Sequence, residues 1–172
     1  MSRANLDDNR GYYEEAVVCG NGHVVSCLAT NRPEEKASHC SRCGEATISA
    51  CPACKSAIRG FYQKTTKIPM IPRKWGPPSH CHACGKPYPW TELKTKALAE
   101  VIVELEGLDD TERENLTKSI PDILAETPKS DIAVLRYKKA IAKAGKVAGK
   151  ALYDLVVNVA GSAIAQRFMN GT

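Results

Sequence analysis

With 172 residues, 25% of them charged, and a formal net charge of +5, the chain has room for one ordinary domain or two small ones. No run of about 18 apolar residues occurs, and Met1-Ser2-Arg3-Ala4-Asn5 lacks the apolar centre of a secretory signal; a cytoplasmic location is therefore expected. The net charge names no partner, because it counts all eight cysteines as neutral thiols, and thiolates closed around two zinc ions would bring it to about +2.

In chain order, residues 1–11 are polar and read as a mobile leader. Tyr12 to Val18 predicts a short strand running into Cys19-Gly20-Asn21-Gly22-His23, with Val24-Val25 starting the return strand. Gly20 and Gly22 suit a metal-binding turn, where backbone amides face sulfur and φ can be positive. Residues 29–38 read as a loop broken by Pro33; a second turn, Cys40-Ser41-Arg42-Cys43-Gly44, leads into a strand from Ala46 to Ser49. Cys51-Pro52-Ala53-Cys54 follows at once and Ile58 to Tyr62 predicts another strand. The proline-rich stretch from Lys64 to Ser79 is an irregular excursion before Cys81-His82-Ala83-Cys84-Gly85.

Three C-x2-C pairs and one Cys-x3-His predict two structural zinc centres, since paired cysteines in a reducing compartment are more often ligands than disulfides. Close spacing groups Cys19, His23, Cys40 and Cys43 in a first site and Cys51, Cys54, Cys81 and Cys84 in a second, which is a tandem zinc ribbon. An interleaved cross-brace would use the same eight ligands in other combinations, and spacing alone leaves it open. Cys27 competes with His23 for the first site. His23 is preferred because it sits inside the turn, leaving Cys27 as a half-buried free thiol.

Helices follow the cysteines. Thr91 is a candidate cap for a helix whose apolar positions Leu93, Ala97, Leu98, Val101, Ile102 and Leu105 recur at helical spacing, with Gly107 as its stop. A shorter helix is expected from about Thr111, with Glu114 as its capping-box partner, until Pro121. Thr127-Pro128 opens the longest element, a proline-free helix over 128–169 that would span roughly 60 Å if straight. That length exceeds one small core, so the reading divides between a hairpin bent near Gly145 or Gly149 and a helix that pairs with another chain or lies on a membrane. The expected class is α+β: a small zinc-stapled β tandem ribbon over 12–90 (12–50 and 51–90), then an α-helical region over 91–172.

The strings Val18-Cys19-Gly20-Asn21-Gly22-His23-Val24, Cys40-Ser41-Arg42-Cys43-Gly44, Cys51-Pro52-Ala53-Cys54 with Ile58-Arg59-Gly60, and Cys81-His82-Ala83-Cys84-Gly85-Lys86-Pro87-Tyr88-Pro89-Trp90-Thr91 carry a resemblance. With Thr127-Pro128 and Arg136-Tyr137-Lys138-Lys139 in the tail, the chain resembles a bacterial family catalogued only as domain of unknown function 2321. The resemblance implies a small zinc-ribbon protein with a helical C-terminal part, and no established activity.

Complete thiolate-rich ligand sets leave no open position for a substrate, and no H-E-x-x-H, phosphate-cradling loop or nucleophile elbow occurs, so a non-enzymatic role is expected. The ribbons would dock on a partner protein while 128–169 provides self-association, with Trp75, Tyr88, Gly145, Gly149, Leu152 and Leu155 as interaction candidates. The competing reading is nucleic-acid binding. Residues 55–90 carry seven Lys/Arg and no acid, and Lys55, Arg59, Lys64, Lys67, Arg73 and Lys74 are interleaved with Phe61, Tyr62 and Trp75. A third reading, a membrane-active oligomer, rests on the apolar stretch from Ala151 to Phe168, which Asp154, Asn158, Gln166 and Arg167 interrupt.

Overall fold

The computed structural model describes residues 11–64, 72, 74–124, 127–159 and 162–169. The leader to Arg10, most of the excursion after Lys64, and the candidates Lys67 and Arg73 lie outside the described residues. The chain divides into two compact units, one ending at Trp90 and one beginning at Thr91. Small antiparallel sheets make up the first and helices the second, an α+β architecture.

In the N-terminal unit the stretch expected as one strand is two. Strand β1 (Tyr12–Glu15) and strand β2 (Val17–Cys19) are separated at Ala16 and belong to different sheets. β2 lies between β3 (Val24–Ser26) and β4 (Thr47–Ile48), while β1 pairs antiparallel with β5 (Arg59–Gln63). The pairing of β1 shifts register between Tyr13 and Glu15, the kind of local irregularity that bends a strand. Ala16 then donates its amide to Ile58 O at 2.9 Å, carrying the chain across from one sheet to the other. The first strand in sequence thus completes the sheet of the second cysteine half, so the halves 12–50 and 51–90 are interlocked. A 3-10 turn over Pro33–Glu35 occupies the loop expected there. Ala16, Val18, Ile58, Tyr88 and Trp90 form the unit's small core, together with the sulfur-bearing Cys51 and Cys81. Gly60 is required by closeness rather than by φ: a β-carbon there would stand 2.5 Å from Cys27 O.

The C-terminal helices begin with α1 (Pro89–Glu104), which starts two residues ahead of the expected Thr91 cap because proline suits the first helical turn. It stops before Gly107, whose φ of +76° reverses the chain. The capping box of α2 (Asp110–Lys118) uses Asp109 and Glu112 rather than Thr111 and Glu114. Asp109 accepts from the Glu112 amide and Glu112 from the Asp109 amide. Pro121 then sits in the first turn of α3 (Ile120–Leu124). Thr127 and Pro128 precede the next helix, Thr127 Oγ1 accepting from the Lys129 amide at 3.1 Å.

The expected long helix over 128–169 is three helices: α4 (Ser130–Lys143), α5 (Gly145–Val159) and α6 (Ser162–Met169). The first break is at Gly145, with φ of +75°, and α5 folds back on α4. Gly149 permits that packing, since a β-carbon there would lie 2.3 Å from the Ile141 carbonyl oxygen. Leu98, Ile102, Leu116, Ile120, Ile123, Val134, Tyr137, Leu152, Val156, Ile164 and Phe168 join in one core. A straight helix of about 60 Å would outrun a small core and buries its apolar row only by folding, and the two glycines supply the fold point and the clearance.

The two glycines should fail differently when replaced. Gly145→Ala costs about 1 kcal/mol through its left-handed backbone alone, since nothing lies within 4 Å of the added carbon. Gly149→Ala gains helix propensity but drives α5 into the α4 backbone, for a net loss of about 2 kcal/mol. Urea denaturation followed by circular dichroism checks both, and an unchanged midpoint for Gly149→Ala would contradict the close packing.

Candidate metal centres

Three cysteine turns are built alike. In each, the residue after the second cysteine donates its amide to the first cysteine's carbonyl: Gly44 to Cys40 at 2.8 Å, Lys55 to Cys51 at 2.9 Å and Gly85 to Cys81 at 2.9 Å. The first cysteine's amide closes the loop on Glu45, Ser56 or Lys86 at 2.8 to 2.9 Å. All three turns need positive φ at the position after the second cysteine: +75° at Gly44, +64° at Lys55 and +72° at Gly85. Lys55 is the one side-chain-bearing residue among them, and the C-x2-C-Gly register of the other two turns is the signal that could have marked it. Isolated bridges His39 to Ala46, Ala50 to Ala57 and His80 to Pro87 repeat at the same offset from each turn. The irregular turn is shorter, Gly22 donating to Cys19 O at 2.8 Å and Cys19 to His23 O at 3.0 Å. Its Gly22 has φ of +85°, and an added β-carbon would meet Trp90 at 2.9 Å.

These turns gather eight donors into two clusters. Cys19, His23, Cys40 and Cys43 form one, and Cys51, Cys54, Cys81 and Cys84 the other, the donor atoms of each lying within 4.8 Å of one another. Consecutive turns are joined, as in the tandem grouping and not in the cross-brace. Cys27 is in neither cluster; it is a half-buried free thiol whose pKa burial raises, and its carbonyl accepts from the Phe61 amide at 3.0 Å.

The donor spacing fits a metal ion. Sulfur pairs Cys19/Cys43 and Cys51/Cys84 are 3.8 Å apart and Cys54/Cys81 3.6 Å. A tetrahedron of sulfur about 2.3 Å from its centre has edges of about 3.8 Å. His23 turns Nδ1 to the cluster, 3.3 Å from Cys43 Sγ and 3.8 Å from Cys40 Sγ. Either cluster could therefore hold one metal ion, the first through three sulfurs and an imidazole, the second through four sulfurs.

The surroundings already favour thiolate. Cys43 is lowered to about 6 by the Glu45 amide and then by the Asn21 side chain, whose Nδ2 is 3.5 Å away. Cys81 is lowered to about 6 by the amides of Cys84 and Ala83. The Ser56 hydroxyl, 3.4 Å from Cys54, lowers that thiol. Cys84 moves the other way: the Lys86 amide lowers it, yet burial and the three neighbouring sulfurs outweigh that amide and push it up to about 11. Cys19 is also raised, first by burial. Four sulfurs at contact distance cannot all ionise without a cation among them.

Tyr88 and Trp90 both belong to the core beside the second cluster. Their rings stack at 4.7 Å and 18°, and Trp90 Nε1 donates to Pro78 O at 2.9 Å. The Tyr88 hydroxyl is buried without a partner among the described residues, and burial followed by the neighbouring Cys81 raises its pKa. Tyr88 is thus a core residue and not the docking anchor expected. Leu152 is likewise fully buried and Leu155 half-buried in the helical core, while Trp75 packs half-buried on the ribbon core. Of the remaining interaction candidates, Gly149 is covered and Gly145 lies exposed at its turn. Lys55, Arg59, Lys64 and Lys74 are exposed.

Two interlocked cysteine halves, each closing four donors around one point, are compatible with a protein of the tandem zinc-ribbon type, followed in the chain by a helical unit. A family profile described as "Uncharacterized protein conserved in bacteria (DUF2321)" matches residues 12–168, and the chain belongs to that family. Neither a curated protein nor a solved structure matches it.

Metal uptake should release protons. Cys84 and Cys19 are protonated at neutral pH in the metal-free clusters, whereas Cys43 and Cys81 are largely ionised. A bound ion requires all of them as thiolates, so apparent affinity falls as pH falls, by about tenfold per pH unit for each proton displaced. The fall steepens below about pH 6, where Cys43 and Cys81 also gain protons. Competition against a chelator of known affinity across this range checks the direction and slope.

Proposed function

We propose that this protein is a non-enzymatic, two-zinc interaction module in which the ribbons are a rigid recognition head and the helical unit provides self-association. The observation that carries the reading is the completeness of both donor sets. A catalytic zinc keeps one position open for water or substrate, whereas sets of three or four thiolates closed by protein donors are the structural kind. Soft thiolate and imidazole donors select zinc over magnesium, calcium or manganese. Each zinc would contribute on the order of 10 kcal/mol to folding.

Support for association comes from α4. Ile132 and Leu135, three residues apart and therefore on one side of the helix, are each 54% exposed. A second copy of the chain is the partner that this surface fits most simply, because symmetric pairing is the commonest route to assembly. The membrane-active reading has less support. No helix among the described residues is long and apolar enough to cross a bilayer, and Leu152, Val156, Ile164 and Phe168 face the unit's own core.

Elemental analysis of protein purified under reducing conditions should find two zinc ions per chain. Cys40→Ser and Cys54→Ser should each lower that content by at least one ion, and Cys27→Ser should leave it unchanged. Metal-free chains, or cysteines of the two clusters oxidised to one another, would overturn the structural-zinc reading.

Sedimentation over a concentration series should reveal a reversible dimer that Ile132→Asp combined with Leu135→Asp converts to monomer, with helical content retained. A wild-type chain that stays monomeric throughout would remove the self-association.

A further inference from the structure

The ribbon head carries a face that neither metal centre uses. On the outer side of the β1–β5 pair, Tyr13 and Tyr62 stand opposite one another in register, 50% and 41% exposed. Their rings meet edge-on at 5.0 Å and 62°, so the edge of one covers a face of the other while both rings stay substantially exposed. The Tyr62 hydroxyl accepts from the Gly11 amide at 3.1 Å, which holds that ring in place. The Arg59 guanidinium lies 4.6 Å from the centre of the Tyr13 ring. Among the described residues Arg59 has no carboxylate partner, so its N–H edge is available to an anion.

Beside this face is an open depression bordered by Tyr13, Thr30, Ala57, Arg59 and His82. Two carboxylates also border it, and both are already engaged. Glu15 pairs with Lys36 Nζ at 2.5 Å, and the buried Glu14 accepts from the Asn31 amide at 3.1 Å. The exposed Lys55 and Lys64 lie on the same acid-free segment, which has no Asp or Glu from Lys55 to Trp90.

We infer that the Tyr13, Tyr62 and Arg59 face of the β1–β5 sheet binds single-stranded nucleic acid, the two rings stacking on bases while Arg59, Lys55 and Lys64 meet phosphates. The inference rests on the recognition-head reading and gives the head its partner. Ring faces beside cations distinguish this partner from the alternatives. A duplex keeps its bases stacked away from the rings, and an acidic peptide would use the cations and leave the tyrosines without a role. Base stacking on an exposed aromatic tolerates any sequence, so recognition here is of strand and not of motif.

The test uses the full-length, zinc-loaded chain and fluorescein-labelled single-stranded RNA and DNA of mixed sequence, with binding read by anisotropy across a salt series. Affinity should fall as salt rises. Tyr13→Ala and Tyr62→Ala should each weaken binding at least about fivefold, the low end of a single stacking contact. Arg59→Ala should weaken it and reduce the salt slope by about 0.7, one phosphate contact on a single strand. Lys146→Ala, on the exposed side of α5, should bind as the wild type does, and all variants should retain their zinc.

Equal affinity for duplex, equal affinity of the tyrosine variants, or capture of poly-glutamate in preference to the oligonucleotides would overturn the assignment. If the chain holds two zinc ions and leaves every oligonucleotide free, only this inference fails. If it holds none, the failure lies with the recognition-head reading.

Discussion

Four donors converging on one point, twice, hold together a unit whose strands are two to five residues long. Strand pairs of that size are marginal in water, and the core behind them is little more than Ala16, Val18, Ile58, Tyr88 and Trp90. Cys51 and Cys81 belong to that core as well as to the second cluster, so metal loading of that cluster would be coupled to packing of the core. Without a cation, the sulfurs of each cluster sit at about 3.8 Å with only backbone amides and a few side chains such as Asn21 and Ser56 to moderate their charge. A metal ion in each cluster would supply the stabilisation that so small a core lacks.

Interlocking extends the constraint from one centre to the other. β1 precedes the first centre in sequence but pairs with β5, which follows the first turn of the second centre. The Ala16 amide on Ile58 O fixes the crossing point, and Gly60 provides the clearance for Cys27 O against β5. Disorder in either half therefore removes hydrogen bonds from the other. The helical unit is held by a continuous apolar core and by local polar contacts. The Asp109/Glu112 box and the Lys143 to Glu112 ion pair at 2.7 Å are examples. That ion pair is exposed and contributes modestly.

What was legible in the sequence was whatever is local. Ligand identity follows from turns of four or five residues, and the preference for His23 over Cys27 follows from which of them the turn can reach. The α+β order and the stop at Gly107 are equally local. The shared strand was not legible, because the residues from Tyr12 to Val18 look like one strand until a partner as distant in sequence as Arg59–Gln63 is known to claim its first half. The bend at Gly145 was legible as one of two glycine positions, whereas the separate last helix from Ser162 was not, since the apolar row keeps its period to Ile164. Only the absence of a core long enough to receive it forces the fold-back. The interaction candidates failed for a related reason: Leu152 and Gly149 have the same spacing whether they meet another chain or α4.

The basic segment can be divided by what each charge faces. The second cluster with a divalent ion would carry a net charge of about −2, and an acid-free segment around it could be no more than its counter-charge. Lys86 fits that role by position, because its own backbone closes the turn on Cys81. Arg59 does not. It stands on β5 opposite Glu15, a carboxylate already engaged by Lys36, and places its guanidinium on the Tyr13 ring. A cation needed only to balance thiolates would gain more by approaching them than by lying on an exposed aromatic face, where a cation–π contact contributes about 0.5 to 1 kcal/mol. Held over the ring, and with no carboxylate partner among the described residues, it has donors to offer an external anion.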